Sequence, residues 1–314
     1  MNKNEFRKKE LLKEQEELML KRQSRIESGL PAFELDDKNK NIKSHSKLYM
    51  GIKVMRILNL YSLKVKGVIP DTNGRPIIIA PNHVRKQDIE ILMEAIPIHM
   101  FLLSGDFENV HGTLSGSMLE KNGITYLNME DQKDRENIKH TIKDILDSKI
   151  NLLWFYEGSW NLSPNKPYYD GYFHMVQAAV DSDALVLPVS FDLIGKKAFV
   201  NIGKPIDFRK EFGNRILTNE EKIKGLDEIK GQIGRGLFDM WEKYSCEMRE
   251  NIPDNYWEKY KQHILKEWKF NEKDINKKHF TDKNLVEQNE AFRHLDNIIP
   301  NDKNAFLFSK RNHH

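Results

Sequence analysis

Between residues 77 and 202 the chain alternates short apolar runs with longer amphipathic stretches. Ile77–Ala80, Met100–Leu103, Ile124–Leu127, Leu152–Phe155 and Leu185–Val189 contain no charge, and Phe199–Ile202 is a further candidate of the same kind. Uncharged runs of this length suit strands buried on both faces. Helical spacing occupies residues 88–96, 114–121, 134–148 and 171–181 between them. Strands alternating with helices predict an α/β fold, with a mostly parallel or mixed central sheet flanked by helices. Outside this block, residues 2–28 read as a charged helix with a thin stripe of Leu11, Leu12, Leu18, Met19 and Ile26. Residues 219–246 and 253–270 read as C-terminal helices, and 271–314 as a polar, irregular tail. The pattern divides the chain into a charged helix and linker (1–44), an α/β domain (45–210) and a helical extension with its tail (211–314).

One segment ahead of the first buried strand has a different character. From His45 to Gly67, Leu48, Ile52, Met55, Leu58 and Leu60 fall close to helical spacing, widened by Tyr49, Val54, Ile57 and Tyr61. Lys47, Lys53 and Arg56 occupy the polar side. A basic amphipathic helix can lie in a membrane interface, its Lys and Arg against anionic headgroups; it can equally pack on its own domain. Charge sharpens the point. The whole chain carries +3, but residues 38–70 hold Lys38, Lys40, Lys43, Lys47, Lys53, Arg56, Lys64 and Lys66 and no acid. Such asymmetry points to an anionic surface as partner.

Composition narrows the class. The 314 residues are 39% hydrophobic and 31% charged, enough apolar material for a sizeable core. A single cysteine, Cys246, leaves no disulfide framework or multi-cysteine metal site, and a reducing compartment is the default. No stretch approaches the roughly 18 uncharged apolar residues of a membrane span, and the N-terminus has no secretion-signal core. These features predict a soluble, cytoplasmic protein, with attachment to the inner face of the membrane left open.

Candidate chemistry sits at strand ends, where α/β proteins gather functional groups. The Ile77 strand runs straight into Asn82-His83-Val84-Arg85-Lys86-Gln87-Asp88. His83 and Asp88 would stand about 140° apart on a regular helix. They can meet only if His83 lies on the turn and Asp88 in the first helical turn behind it. A carboxylate there fixes the imidazole tautomer and supports the imidazolium, giving a general-base pair. Taken alone, the string also fits a capping Asp beside a surface His. A second junction, Phe155-Tyr156-Glu157-Gly158-Ser159-Trp160-Asn161, suits a tight turn after the Leu152 strand. A third, Leu187-Pro188-Val189, places a proline in an apolar strand.

In this order the pieces resemble the glycerolipid acyltransferase family, which includes bacterial 1-acylglycerol-3-phosphate acyltransferases. The family's N-H-x4-D block is matched by Asn82, His83 and Asp88. Its F-P-E-G-T-R-S block is similar to the stretch from Phe155 to Asn161, and its V-P-V/I strand to Leu187-Pro188-Val189. Gly171 to Ala179 resembles the family's G-x-F-x-M-A-x-x-A helix. The likeness covers roughly residues 50–205. It implies transfer of a fatty acyl group from an acyl-CoA or acyl carrier protein thioester to a hydroxyl, with no metal and no cofactor beyond that co-substrate. In that scheme His83 is the base, Asp88 orients it, and Asn82, Asn128, Glu157, Gly158, Ser159 and Trp160 line the acceptor side.

The departures matter too. The family's G-x-I-F-I-D-R block aligns with Gly123 to Met129, so Asn128 and Met129 stand where an acid and an arginine are usual. Trp160 replaces a second arginine, and Asp170 a frequent lysine. Met and Trp cannot make the bidentate phosphate contacts of arginine. The acceptor is therefore expected to be a glycolipid, a sugar, a larger lysophospholipid or another hydroxyl compound, unless Arg85, Lys86 or Arg135 supplies a relocated clamp. Ser159 is not expected to act as a nucleophile, since E-G-S is no G-x-S-x-G elbow. His83, His99 and His111 match no standard metal spacing. The alternative outside catalysis is a basic-patch protein that binds nucleic acid or a membrane. No nucleic-acid partner is expected, because aromatic interleaving of the basic block is limited to Tyr49 and Tyr61.

Overall fold

The computed structural model describes residues 3–33, 38–58, 61–83, 87–128, 131–157, 174–194 and 196–244. Seven strands form one sheet: β1 (Ser62–Lys66), β2 (Ile77–Pro81), β3 (Met100–Ser104), β4 (Ile124–Tyr126), β5 (Asn151–Leu153), β6 (Leu185–Ile194) and β7 (Lys197–Ile202). Their spatial order is β1-β7-β6-β2-β5-β3-β4. Neighbours pair in parallel throughout, except that β6 and β7 form an antiparallel hairpin. The sheet is therefore mixed, with β6, β2, β5, β3 and β4 all ending on one edge.

Alternation explains why these strands read as unbroken apolar runs. Successive side chains point to opposite faces, and both faces are covered. Ile78, Ala80, Phe101, Leu152, Trp154 and Val186 share one core with α6 (Gln132–Asp147), α7 (His174–Asp181) and α9 (Asn219–Tyr244). Ile77, Ile79, Met100, Leu102, Leu153 and Leu187 share the other with α2 (Lys38–Leu58), α3 (Asp88–Ala95) and α5 (Leu114–Asn122). Helix α9 carries Leu226, Ile229, Ile233 and Leu237 into the first core. It belongs to the sheet's own packing, although the sequence division puts it in the C-terminal extension. Helix α1 (Lys3–Glu27) lies beside the β4 edge, touching α6 and the short α4 (Phe107–Val110).

The expected helix from His45 to Gly67 needs correction. It ends at Leu58, and Ser62–Lys66 forms the edge strand β1 along β7. Ser-Leu-Lys-Val-Lys has a period of two, with Leu63 half-buried and its neighbours outward, and the lysines of an exposed edge discourage pairing with other chains. The expected helices at 114–121 and 134–148 occur with shifted ends, while α4 and α8 (Phe208–Phe212) had not been expected. The helix expected at 253–270 and the tail lie outside the described residues.

Proline within β6 is tolerated for a local reason. Pro188 faces the β7 side of its strand, where its carbonyl accepts from Gly203 N at 2.9 Å. Pairing with β7 begins only at Val189, so no ladder hydrogen bond is lost at the missing N–H.

Docking of α2 includes a buried imidazole. His45 donates from Nδ1 to Asn122 Oδ1 at 2.7 Å, its orientation pinned because Asn122 Nδ2 donates to Met100 O. The ring also stands edge-on to His99 at 5.7 Å. Burial pushes the His45 pKa below its ordinary value, against a smaller opposing effect of the Asn122 bond. The folded state then binds fewer protons at this site than the unfolded chain. Its stability is complete above the ordinary histidine pKa of about 6.5 and declines as pH falls below it. We expect the melting temperature to drop more steeply between about pH 7.5 and pH 5.5 in the wild type than in His45→Gln. Equal slopes in thermal scans would contradict this.

Candidate active site

The site begins where β2 stops and β6 continues. Asn82 N–H donates to Val189 O at 3.4 Å, and the Asn82 side chain then takes over as if it were a further peptide unit. Its Oδ1 accepts from Phe191 N at 2.7 Å, and its Nδ2 donates to Phe191 O at 2.9 Å. Both backbone groups on β6 are satisfied although β2 has ended. Asn82 is fully buried, and its amide is engaged by the scaffold. Expected on the acceptor side, it is placed as the residue that lets the chain leave the sheet at His83.

His83 is held in three ways. Its backbone N–H donates to Glu157 Oε2 at 3.0 Å. Its ring stacks on Phe155, with centroids 4.0 Å apart and an interplanar angle of 21°. Its Nδ1 lies 2.6 Å from Asp88 Oδ2. Asp88 opens α3 and is fully buried, while the His83 side chain retains 13% of its surface. A carboxylate at a helix N-terminus is favoured by the helix dipole. An ionised Asp88 can only accept, so the short contact makes Nδ1–H the donor and leaves the ring's lone pair on Nε2. That is the protonation pattern a general base needs. The geometry requires the turn-then-helix arrangement inferred from the five-residue spacing.

Glu157 follows β5 and is buried; besides His83 N–H, it lies 3.5 Å from the Tyr156 hydroxyl. Two carboxylates thus converge on one histidine, one on its backbone and one on its ring. Asn128 stands after β4, on the same edge of the sheet, its N–H donating to Asp134 Oδ2 at 2.8 Å. Gly158, Ser159 and Trp160 lie outside the described residues, as do Met129, Asp170, Arg85 and Lys86. Arg135 is exposed on the first turn of α6. His99 and His111 stand away from His83. His99 Nε2 is 2.9 Å from Asn122 O, and His111 lies between Glu14 and Glu120.

Residues 62–192 match the family model described as Acyltransferase. This segment begins at β1, ends within β6 and contains Asn82, His83, Asp88, Asn128 and Glu157. Residues 62–192 form an acyltransferase-family domain. Among solved structures, the chain is similar to PlsC, a 1-acyl-sn-glycerophosphate (LPA) acyltransferase from Thermotoga maritima. Identity is 19% and the TM-score 0.48, over 62% of this chain and 79% of that one. The curated proteins contain no match to this sequence.

Two features of the acyltransferase domain escaped the sequence reading. The aromatic floor under His83 was hidden because Phe155 reads as one more apolar strand residue. Glu157 was expected on the acceptor side, and its bond to His83 N–H joins residues 74 apart in the chain. No local pattern announces such a bond.

The Asn82 arrangement makes a definite prediction. Asn82→Ala strands the buried Phe191 N–H and C=O, which at about 1–3 kcal/mol for each group should lower unfolding stability by about 2–6 kcal/mol. It should also move the His83 turn. Urea denaturation checks the first effect; a midpoint within error of the wild type would refute it.

Proposed function

We propose that the chain is an O-acyltransferase that moves a fatty acyl group from an acyl thioester to a hydroxyl of a lipid-like or sugar acceptor. The observation that carries this reading is the His83–Asp88 pair, set on Phe155 at the carboxyl edge of the sheet within an acyltransferase-family domain. The acceptor hydroxyl gives its proton to His83 Nε2 as its oxygen attacks the thioester carbonyl carbon. The tetrahedral oxyanion collapses, the C–S bond breaks, and the leaving thiolate takes the proton from the imidazolium. Asp88 supports the positive ring in between. No covalent enzyme intermediate is needed. The donor is acyl-CoA or acyl carrier protein, and no further cofactor enters. The Met129 and Trp160 positions favour an acceptor other than a small phosphate monoester.

Delivery to a lipid surface fits the outer face of α2. Met50, Val54, Ile57 and Leu58 are exposed, Leu58 by 70%, while Leu48 and Ile52 pack inward. Lys47 and Lys53 are exposed too. Arg56, expected among the headgroup contacts, turns inward instead. Its Nε bonds Glu94 at 2.7 and 2.9 Å and its Nη1 donates to Tyr61 O at 2.8 Å. The partner surface is therefore an anionic membrane met by Lys47, Lys53 and the apolar C-terminal half of α2. No helix among the described residues is long and apolar enough to cross a membrane. An exposed apolar stripe suits lipid better than nucleic acid, whose binding would weaken steeply with salt.

Thiol release from palmitoyl-CoA and from palmitoyl acyl carrier protein, with a panel of lipid and sugar acceptors, tests the chemistry. His83→Ala should lower kcat by about 10²–10⁴-fold. Equal thiol release by the two proteins with every acceptor would remove His83 from the mechanism. For the surface, Val54→Asp/Leu58→Asp should greatly reduce flotation with anionic vesicles, and Lys47→Gln/Lys53→Gln should do so partially. Unchanged flotation of both variants would dismiss α2 as the contact.

A further inference from the structure

Helix α1 is covered with exposed Lys and Glu, yet Arg22 turns inward from it. Its side chain keeps 9% of its surface, and that of its partner Asp134 keeps 2%. Arg22 Nη1 donates to Asp134 Oδ1 at 2.5 Å, and Nη2 donates to Thr125 Oγ1 at 3.3 Å and to the Tyr126 carbonyl. The other oxygen of Asp134 accepts the Asn128 N–H at 2.8 Å. The Asp134 N–H in turn donates to Asp131 Oδ1 at 2.7 Å, which caps α6. One buried carboxylate thus ties α1 and α6 to Asn128, two residues past β4. The Tyr126 carbonyl points away from β3, because β3 is bonded to Gly123 O and Leu127 N. Arg22 therefore also covers an open sheet edge.

Position makes this more than edge protection. β4 ends on the edge that carries His83, three strand spacings or about 14 Å from β2. Ligands of parallel sheets lie outside the carboxyl ends of the strands. Asn128 therefore borders ground that a substrate would occupy with a part distant from its reacting hydroxyl. Arg22 is also one wall of a cavity of about 220 Å³, with Lys21, Arg25, Thr125, Asn128 and Asp134 among its lining. The cations outnumber the acid there.

We propose that Arg22 is a positioning residue for the acceptor: through Asp134 it sets Asn128 and the end of β4, making α1 part of the substrate site. This rests on the acyl-transfer reading above. A contact that holds substrate and transition state equally acts on KM and leaves kcat unchanged, and a fixed strand end bordering the acceptor would make contacts of that kind. Lysine can supply the charge but not the planar fork that reaches Asp134 and the strand together.

The test compares full-length wild type, Arg22→Met, Arg22→Lys and Lys8→Gln, the last removing only an exposed ion pair of α1 with Glu108. Amide hydrogen exchange at Asn128 and His83 is measured beside steady-state kinetics. The probes are palmitoyl-CoA with the best acceptor of the panel, starting from 1-oleoyl-glycerol 3-phosphate. Arg22→Met should speed exchange at Asn128 by about 10-fold or more and leave His83 within about 2-fold. It should raise the acceptor KM about 10-fold while kcat and the thioester KM stay within about 3-fold. Arg22→Lys should recover part of each effect, and Lys8→Gln should match the wild type. Unchanged exchange at Asn128 would overturn the proposal. A parallel fall of kcat, both KM values and melting temperature would also overturn it, reducing Arg22 to a structural strut. Should the wild type release thiol with no acceptor, the acyl-transfer reading and Arg22's acceptor role fail together. Its hold on β4 is then judged on exchange alone.

Discussion

The Asn82 amide, bonded to both backbone groups of Phe191, is the contact on which the geometry around His83 depends. β6 is ten residues long and β2 only five, so β6 would otherwise leave a buried N–H and C=O facing nothing. Unpaired, those groups would each cost about 1–3 kcal/mol. A further strand residue in β2 could satisfy them, but it would keep the chain in the sheet. A side-chain amide satisfies them and lets the backbone depart. His83 can therefore sit on a turn at the sheet's edge, with α3 starting five residues later. Asparagine carries both a donor and an acceptor at the required separation. Aspartate lacks the donor, and leucine lacks both.

Once the turn is set, the charges around His83 fall into order. Two buried acids would repel each other and lose hydration if left unmatched. Glu157 is matched by the His83 backbone N–H, and Asp88 by the ring and the α3 N-terminus. Each carboxylate thereby constrains a different degree of freedom. Glu157 holds the backbone, Asp88 holds the ring rotation and tautomer, and Phe155 holds the ring plane. In the proposed reaction, a base restrained in this way would lose little orientational freedom when the acceptor hydroxyl arrives, the kind of pre-organisation that lowers barriers.

Much of this could be read from the chain, and the failures share one cause. Six of the seven strands stood out as uncharged runs because the sheet is covered on both faces. β1 did not, because an edge strand with Lys64 and Lys66 has no buried run to show. The His83–Asp88 pair could be inferred because turn and helix geometry leave one way for residues five apart to meet. Arg22–Asp134 could not, since it joins residues 112 apart and Arg22 sits in a helix most of whose other described charges are exposed. Arg56 misled for the same reason: in a helix pattern it looks like Lys53, and only Glu94 of α3 distinguishes them.

That distinction changes the meaning of the basic block between residues 38 and 70. Arg56 serves as an internal strut, which leaves the outer face of α2 apolar toward its C-terminal end, with Lys47 and Lys53 exposed. A face of this kind needs no ordered ionic partner, because its apolar residues gain from any acyl boundary while the lysines snorkel to headgroups. Arg56 instead holds Glu94 of α3 with both carboxylate oxygens in reach of its Nε, which fixes α2 against α3. On α1, likewise, Arg22 is engaged by a buried carboxylate while Lys8, Lys9, Lys13 and Lys21 are exposed. Arg56 in α2 and Arg22 in α1 thus brace the protein from within, where a planar fork against a fixed carboxylate is best used.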